Sequence, residues 1–127
     1  MIFFRNDYGE GCIEPILKLL QEKNEEQNPG YGTDDYCARA AQLIQSKLPD
    51  TPADIHFIAS GTLTNVVMIR HVLRPFEVVI ATDSAHIATH EGGAIEASGH
   101  KIITMPASSG KLTAMALRKA IHNIVND

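Results

Sequence analysis

A chain of 127 residues, 44% hydrophobic and 20% charged, has the size and balance of one ordinary globular domain, which excludes a disordered, highly charged segment. Its net charge of -4 and its 11 scattered Lys and Arg residues supply no basic stripe for a phosphate backbone, so nucleic acid is not an expected partner. No apolar run nears the roughly 20 residues that span a bilayer, and Met1-Ile2-Phe3-Phe4-Arg5 lacks a basic stretch ahead of its apolar residues, so a cytoplasmic protein without a membrane partner is expected.

Ile13, Ile16, Leu17 and Leu20 recur at helical spacing and predict an amphipathic first helix, with Pro15 tolerable in its first turn. The polar stretch from Glu22 to Gly32 holds the turn signal Asn28-Pro29-Gly30. Thr33 then offers a cap, and Asp34 and Asp35 suit the positive end of a second helix whose buried stripe would be Cys37, Ala40, Ala41, Ile44 and Leu48. Cys12 and Cys37 have no CxxC spacing and no histidine at ligand distance, so they are expected as small buried hydrophobes and not as a disulfide or zinc staple.

Pro49 and Pro52 end the second helix, and the β-branched run Ile55 to Ala59 predicts a strand that passes directly into Ser60-Gly61-Thr62. A third helix follows, carrying Leu63, Val66, Val67, Ile69, Arg70 and Leu73, and Arg74-Pro75 stops it. Glu77 to Ala81 is read as a strand buried on both faces, His86 to Ser98 as one helix terminated by Gly99, and Lys101 to Met105 as a third strand. Thr113 marks the last helix as its N-cap, with Leu112 and Leu117 placed as a hydrophobic staple and Ile121, Ile124 and Val125 continuing the stripe.

This alternation predicts an α/β fold with a three-layer, mainly parallel sheet and flanking helices. Residues 1-50 would form an arm and helices, and residues 54-127 the β/α units. Three strands make half a sheet, so the rest of the domain is expected to lie outside these residues.

Ser60-Gly61-Thr62 stands where a strand feeds a helix, so free backbone N-H groups, hydroxyls and the helix dipole would converge there on an anion. Gly61 making a tight turn, with Thr62 as a helix cap, explains the same residues. The segment matches neither GxGxxG nor GxxxxGK[ST], which disfavours a Rossmann or P-loop nucleotide site. Asp83-Ser84-Ala85-His86 follows the second strand at its carboxyl end, the side on which parallel sheets place their ligands. His86 there would stack on a flat cofactor or move protons, or simply cap a helix at the surface. His86 and His90, four apart and followed by Glu91, also invite a metal, but the order HxxxHE places no glutamate between the histidines and no third ligand stands nearby, so no metal is expected.

Tyr31-Gly32-Thr33-Asp34, Ser60-Gly61-Thr62 with Asn65, Asp83-Ser84-Ala85-His86-Ile87 and Glu91-Gly92-Gly93-Ala94 follow one another in the order and approximate spacing of the threonine aldolases. Gly99-His100-Lys101 and Gly110-Lys111-Leu112-Thr113 continue the pattern, so the chain resembles that family over its whole length, and the related β-eliminating lyases share much of it. The resemblance implies the N-terminal part of the large domain of a pyridoxal-phosphate enzyme of fold type I. In it Ser60, Gly61 and Thr62 bind the phosphate of pyridoxal 5'-phosphate, and His86 stacks on the ring as the catalytic residue.

A Ser-Asp pair near the family's N-terminus touches the substrate carboxylate. The matching pair here is Asn6-Asp7, and the Asn6 amide can still donate a hydrogen bond. The lysine that anchors the cofactor, and the aspartate that pairs with its ring nitrogen, are expected beyond these residues. The resemblance places Lys101 and Lys111 away from the cofactor aldehyde, so this chain alone would be inactive. The implied reaction is retro-aldol cleavage of threonine or allo-threonine, small amino-acid substrates, to glycine and acetaldehyde by a homodimer or homotetramer. β-Elimination or transamination on the same scaffold, or a non-catalytic phosphate-binding module, are the other readings.

Overall fold

The computed structural model describes residues 9–48 and 50–126, and the chain forms two compact units, Met1–Phe57 and Ile58–Asp127. The first unit is helical. Helix α1 spans Glu14–Lys23, with Pro15 in its first turn, where a missing N-H costs nothing, and an exposed Glu14–Lys18 ion pair at 2.8 Å one turn apart. Helix α2 spans Asp35–Gln45. Its cap is Asp34 and not Thr33: the Cys37 N-H donates to Asp34 Oδ1 at 2.8 Å, while the Thr33 hydroxyl turns back to the Gly30 carbonyl at 2.9 Å. A carboxylate satisfies both the free N-H and the positive helix end, which a hydroxyl answers only in part. The Cys37 thiol, together with its N-H, holds Asp34 below its ordinary carboxylate range, and the Asp34 carboxylate beside it pushes the Cys37 thiol up, away from thiolate reactivity.

Other ties in this unit are also local. The Tyr36 hydroxyl donates to Glu26 at 2.6 Å, and Lys23 reaches the same carboxylate at 2.7 Å. Gln45 fastens the chain beyond α2 by donating to the Leu48 and Thr51 carbonyls and accepting from the Ala53 N-H. Neither helix contains a buried residue. The expected stripe is only half-buried at Cys37, Ala40 and Ala41 and exposed at Ile44 and Leu48, and Cys12 is exposed, because two short amphipathic helices offer each other little apolar area.

The second unit contains α3 (Gly61–Val72), β1 (Val78–Thr82), α4 (His86–Thr89), α5 (Ala94–Ala97), β2 (Lys101–Met105) and α6 (Ala114–Asn126). Strands β1 and β2 pair in parallel, from Val78 opposite Lys101 to Thr82 opposite Met105, as βαβ alternation requires. The expected strand from Ile55 to Ala59 is not formed; among the described residues no segment pairs with it, and a strand without a ladder partner leaves its backbone groups to water. β1 is half-buried along its length instead of buried on both faces.

The helix expected from His86 to Ser98 is two short helices. The first ends at Thr89, and Gly92 and Gly93 beyond it adopt φ of 58° and 77°, a left-handed backbone that re-aims the chain before the next. Thr113 caps α6 as expected, its hydroxyl accepting from the Ala116 N-H at 3.2 Å. Among the described residues Ile95 and Ala120 are the buried apolar side chains, and His100 is also buried, with its Nδ1 3.4 Å from the Glu77 carbonyl. The carboxyl ends of the two strands are laced together: the Asp83 N-H donates to the Met105 carbonyl at 2.9 Å, and the Ala107 N-H to Asp83 Oδ1 at 3.2 Å. No helix among the described residues is long and apolar enough to cross a membrane.

Candidate functional site

Helix α3 begins at a turn that no ordinary capping requirement explains fully. Ser60 holds φ at 72°, a left-handed conformation uncommon for a side chain that bears a Cβ. Its hydroxyl accepts from the Leu63 N-H at 3.4 Å, and its carbonyl accepts from the Thr64 N-H and hydroxyl at 3.1 and 2.9 Å. Ser60 is therefore the N-cap, which corrects the assignment of that role to Thr62. The N-H groups of Gly61 and Thr62 have no acceptor among the described residues. A Cβ built on Gly61 meets nothing within 4 Å, so that side of the turn is open. Two free amides at the positive end of a 12-residue helix suit an anion with several oxygens.

The carboxyl end of β1 carries the second element. Ala85 leads into α4, and His86 is the first residue of that helix. His86 Nδ1 lies 2.9 Å from Glu91 Oε1, and Asn65 Nδ2 donates to the same oxygen at 2.6 Å. Asn65 stands one turn into α3, so this run of bonds ties the helix that offers the free amides to the imidazole. The His86 side chain is 68% exposed, whereas the Glu91 side chain is wholly shielded, with Oε2 lacking any partner among the described residues.

One face of the His86 ring lies on His90, with centroids 5.3 Å apart and planes inclined by 21°. His90 Nδ1 is 2.6 Å from the Thr89 hydroxyl. With Nδ1 engaged and one face covered, the remaining face and Nε2 of His86 are the parts left to a ligand. The two histidines stack flat instead of aiming nitrogens at a common point, and no group of three or more His, Cys, Asp or Glu among the described residues is arranged to hold a metal.

Other residues singled out in the sequence fall elsewhere. Lys101 opens β2 opposite Val78, at the amino end of the sheet and so at the end away from the loop that carries His86. Lys111 closes a short turn by bridging Ser108. Asn6 lies outside the described residues. An open hollow of about 600 Å³ runs along β2 and α6 past Ile102, Met105 and Ile124 and touches none of the candidate site residues. Sequence reasoning did not assign Glu91 and Asn65 to the site. The available signal was that each is a polar residue in an apolar or small-residue setting, Asn65 against Val66 and Val67, and Glu91 before two glycines.

A solved structure of threonine aldolase from Leishmania major is similar to this chain, at 48% identity and a TM-score of 0.87 over 93% of this chain and 34% of that one. Low specificity L-threonine aldolases from Pseudomonas sp. and Pseudomonas aeruginosa are 30% and 28% identical, each over 91% of this chain and 34% of the relative. The chain thus spans about a third of the length of the relatives it matches. The structural likeness shows the α/β fold to be that of the threonine aldolases, the fold type I expected from sequence. A family model described as beta-eliminating lyase matches residues 21–126, and the chain belongs to the beta-eliminating lyase family.

Proposed function

We propose that this chain supplies the phosphate-binding and ring-facing part of a pyridoxal-phosphate-dependent aldehyde lyase that cleaves threonine or allo-threonine to glycine and acetaldehyde. The observation that carries the reading is the bonded run Asn65, Glu91, His86, which links the open amides at the start of α3 to an exposed, fixed imidazole. The donors fit the cofactor: Gly61 and Thr62 offer unpaired N-H groups to phosphate oxygens, Ser60 and Thr62 add hydroxyls, and the room that glycine leaves at position 61 admits a close approach. When bound, pyridoxal 5'-phosphate supplies the electron-withdrawing ring that makes cleavage of the Cα–Cβ bond feasible.

The chain's own residues hold and orient. Ser60, Gly61 and Thr62 would hold the phosphate, and the free face of His86 would cover the ring and shield it from water. His86 Nε2 is the atom placed to hold or move a proton at the substrate. The Asn6 amide donates to the substrate carboxylate. On this reading residues 1-127 are the front of the cofactor domain, and the anchoring lysine and the aspartate for the ring nitrogen come from further chain. The active form is a cytoplasmic homodimer or homotetramer.

The family description favours one second reading, β-elimination on the same scaffold. Product analysis on the intact protein, supplied with pyridoxal phosphate and threonine, separates the two. Glycine and acetaldehyde are expected; 2-oxobutyrate and ammonia would replace the aldolase reading with elimination. A polypeptide of these 127 residues alone should form no borohydride-fixed adduct on any single lysine, and fixation on Lys101 or Lys111 would overturn the division of roles.

A further inference from the structure

We propose that Glu91, held in place by Asn65, is a positioning residue that fixes the Nδ1-H tautomer and the ring plane of His86. Two donors converge on one oxygen of Glu91: the Asn65 amide at 2.6 Å and the His86 ring nitrogen at 2.9 Å. A carboxylate oxygen only accepts, and the Asn65 amide nitrogen only donates, so His86 Nδ1 must carry the proton in this arrangement. The partner of one ring nitrogen sets the state of the other, which leaves Nε2 bare and able to accept. His90 stacked behind the ring blocks its rotation toward that side.

The burial of Glu91 supports a directed role. Its side chain is wholly shielded and Oε2 has no partner among the described residues, an arrangement that costs stability. The backbone is bent to permit it: the left-handed pair Gly92 and Gly93 turns the chain directly after Glu91. A purely structural anchor would not need the imidazole as its second donor, because the Asn65 bond alone joins α3 to the loop. The tautomer follows from these bonds by itself, whereas its consequence for cofactor binding rests on the reading of His86 given above.

The test uses the intact protein with ¹⁵N-labelled histidine, its ring signals read by long-range ¹H–¹⁵N correlation above about pH 8, where imidazoles are ordinarily neutral. His86 is assigned by the signals lost in His86→Phe. The expected wild-type pattern is a protonated Nδ1 and a bare Nε2. Glu91→Leu, which removes the acceptor but keeps bulk, should move the ring to Nε2-H or to a mixture. Glu91→Gln, which keeps a carbonyl acceptor, should restore Nδ1-H. Asn65→Ala, a milder change that leaves Glu91 in place but untethered, should also mix the tautomers.

Titration with pyridoxal phosphate should show affinity about tenfold weaker in Glu91→Leu and near wild type in Glu91→Gln, the lower end for losing a partner that orients a ligand-contacting histidine. An Nε2-H wild type, or an unchanged Nδ1-H in both Glu91→Leu and Asn65→Ala, would overturn the proposal. Should the tautomers respond as expected while pyridoxal phosphate fails to bind the wild type, the positioning role stands and the cofactor reading falls.

Discussion

Among the described residues of Met1–Phe57, side-chain hydrogen bonds join positions ten or fewer apart, the longest being Tyr36 to Glu26. In Ile58–Asp127 three of them span more than twenty: Asn65 to Glu91, His100 to Glu77, and Ala107 to Asp83. The first region is held by caps and neighbouring charges, features that follow from residue type and spacing. The second is held by a parallel strand pair and by bonds between elements remote in sequence. Among the described residues the candidate site lies in the second, because convergent donors on separate elements require chain reversals that local rules do not provide.

The comparison breaks most visibly at Thr62. In the intact protein Thr62→Ala should weaken pyridoxal phosphate binding by roughly 10- to 100-fold, since a hydrogen bond to a charged group is typically worth about 1.5 to 3 kcal/mol. Unchanged affinity would reduce Thr62 to a residue of the helix's first turn, like any in α1 or α2. His86→Ala should cost about tenfold through lost stacking, whereas His86→Phe keeps a flat ring and should retain most of the affinity. Equal loss in both, with sensitivity to chelators, would replace stacking by metal ligation.

Two smaller effects set the regions apart by stability. Gly93→Ala should lower the stability of the intact protein by roughly 1 to 2 kcal/mol, read as a lower Tm, because a Cβ is strained in a left-handed backbone. Crowding adds little, since that Cβ would sit 3.8 Å from the Glu96 carboxylate, an ordinary contact. The cap at Asp34 is the mildest case. Its carboxyl is held below the ordinary carboxylate range by the Cys37 thiol and N-H, so its contribution is present in and above that range and is lost as pH falls through the lower, folded value. Circular dichroism should show α2 losing helicity below about pH 4, and Asp34→Asn, which retains a cap, should flatten that pH dependence.

Much of the fold was legible in residue order. Helical periodicity located α1, α2, α3 and α6, and the runs read as strands at Glu77 to Ala81 and Lys101 to Met105 form, as Val78–Thr82 and Lys101–Met105, a parallel pair. Three things escaped. The run from Ile55 to Ala59 has strand composition, but a strand exists only beside a partner. The break at Gly92 and Gly93 was missed because Gly99 alone was read as the helix stop. Asp34 displaced Thr33 as a cap because charge outweighed the competing hydroxyl. At the site, His86 follows the carboxyl end of an observed strand, whereas the strand expected before Ser60, Gly61 and Thr62 is not formed and their place at the start of α3 is what remains of that reading. Glu91 and Asn65 could not be paired in advance, since 26 residues, including the rest of α3, β1 and α4, separate them in sequence.

The central claim is that Gly61, Thr62 and His86 together receive pyridoxal phosphate, and a crystal structure of the intact protein with that cofactor tests it most directly. The expected result places phosphate oxygens within about 3 Å of the Gly61 and Thr62 amides, with the ring flat on the face of His86 opposite His90. A phosphate held elsewhere, or a His86 ring edge-on to the cofactor with its free nitrogen on a metal ion, would contradict it.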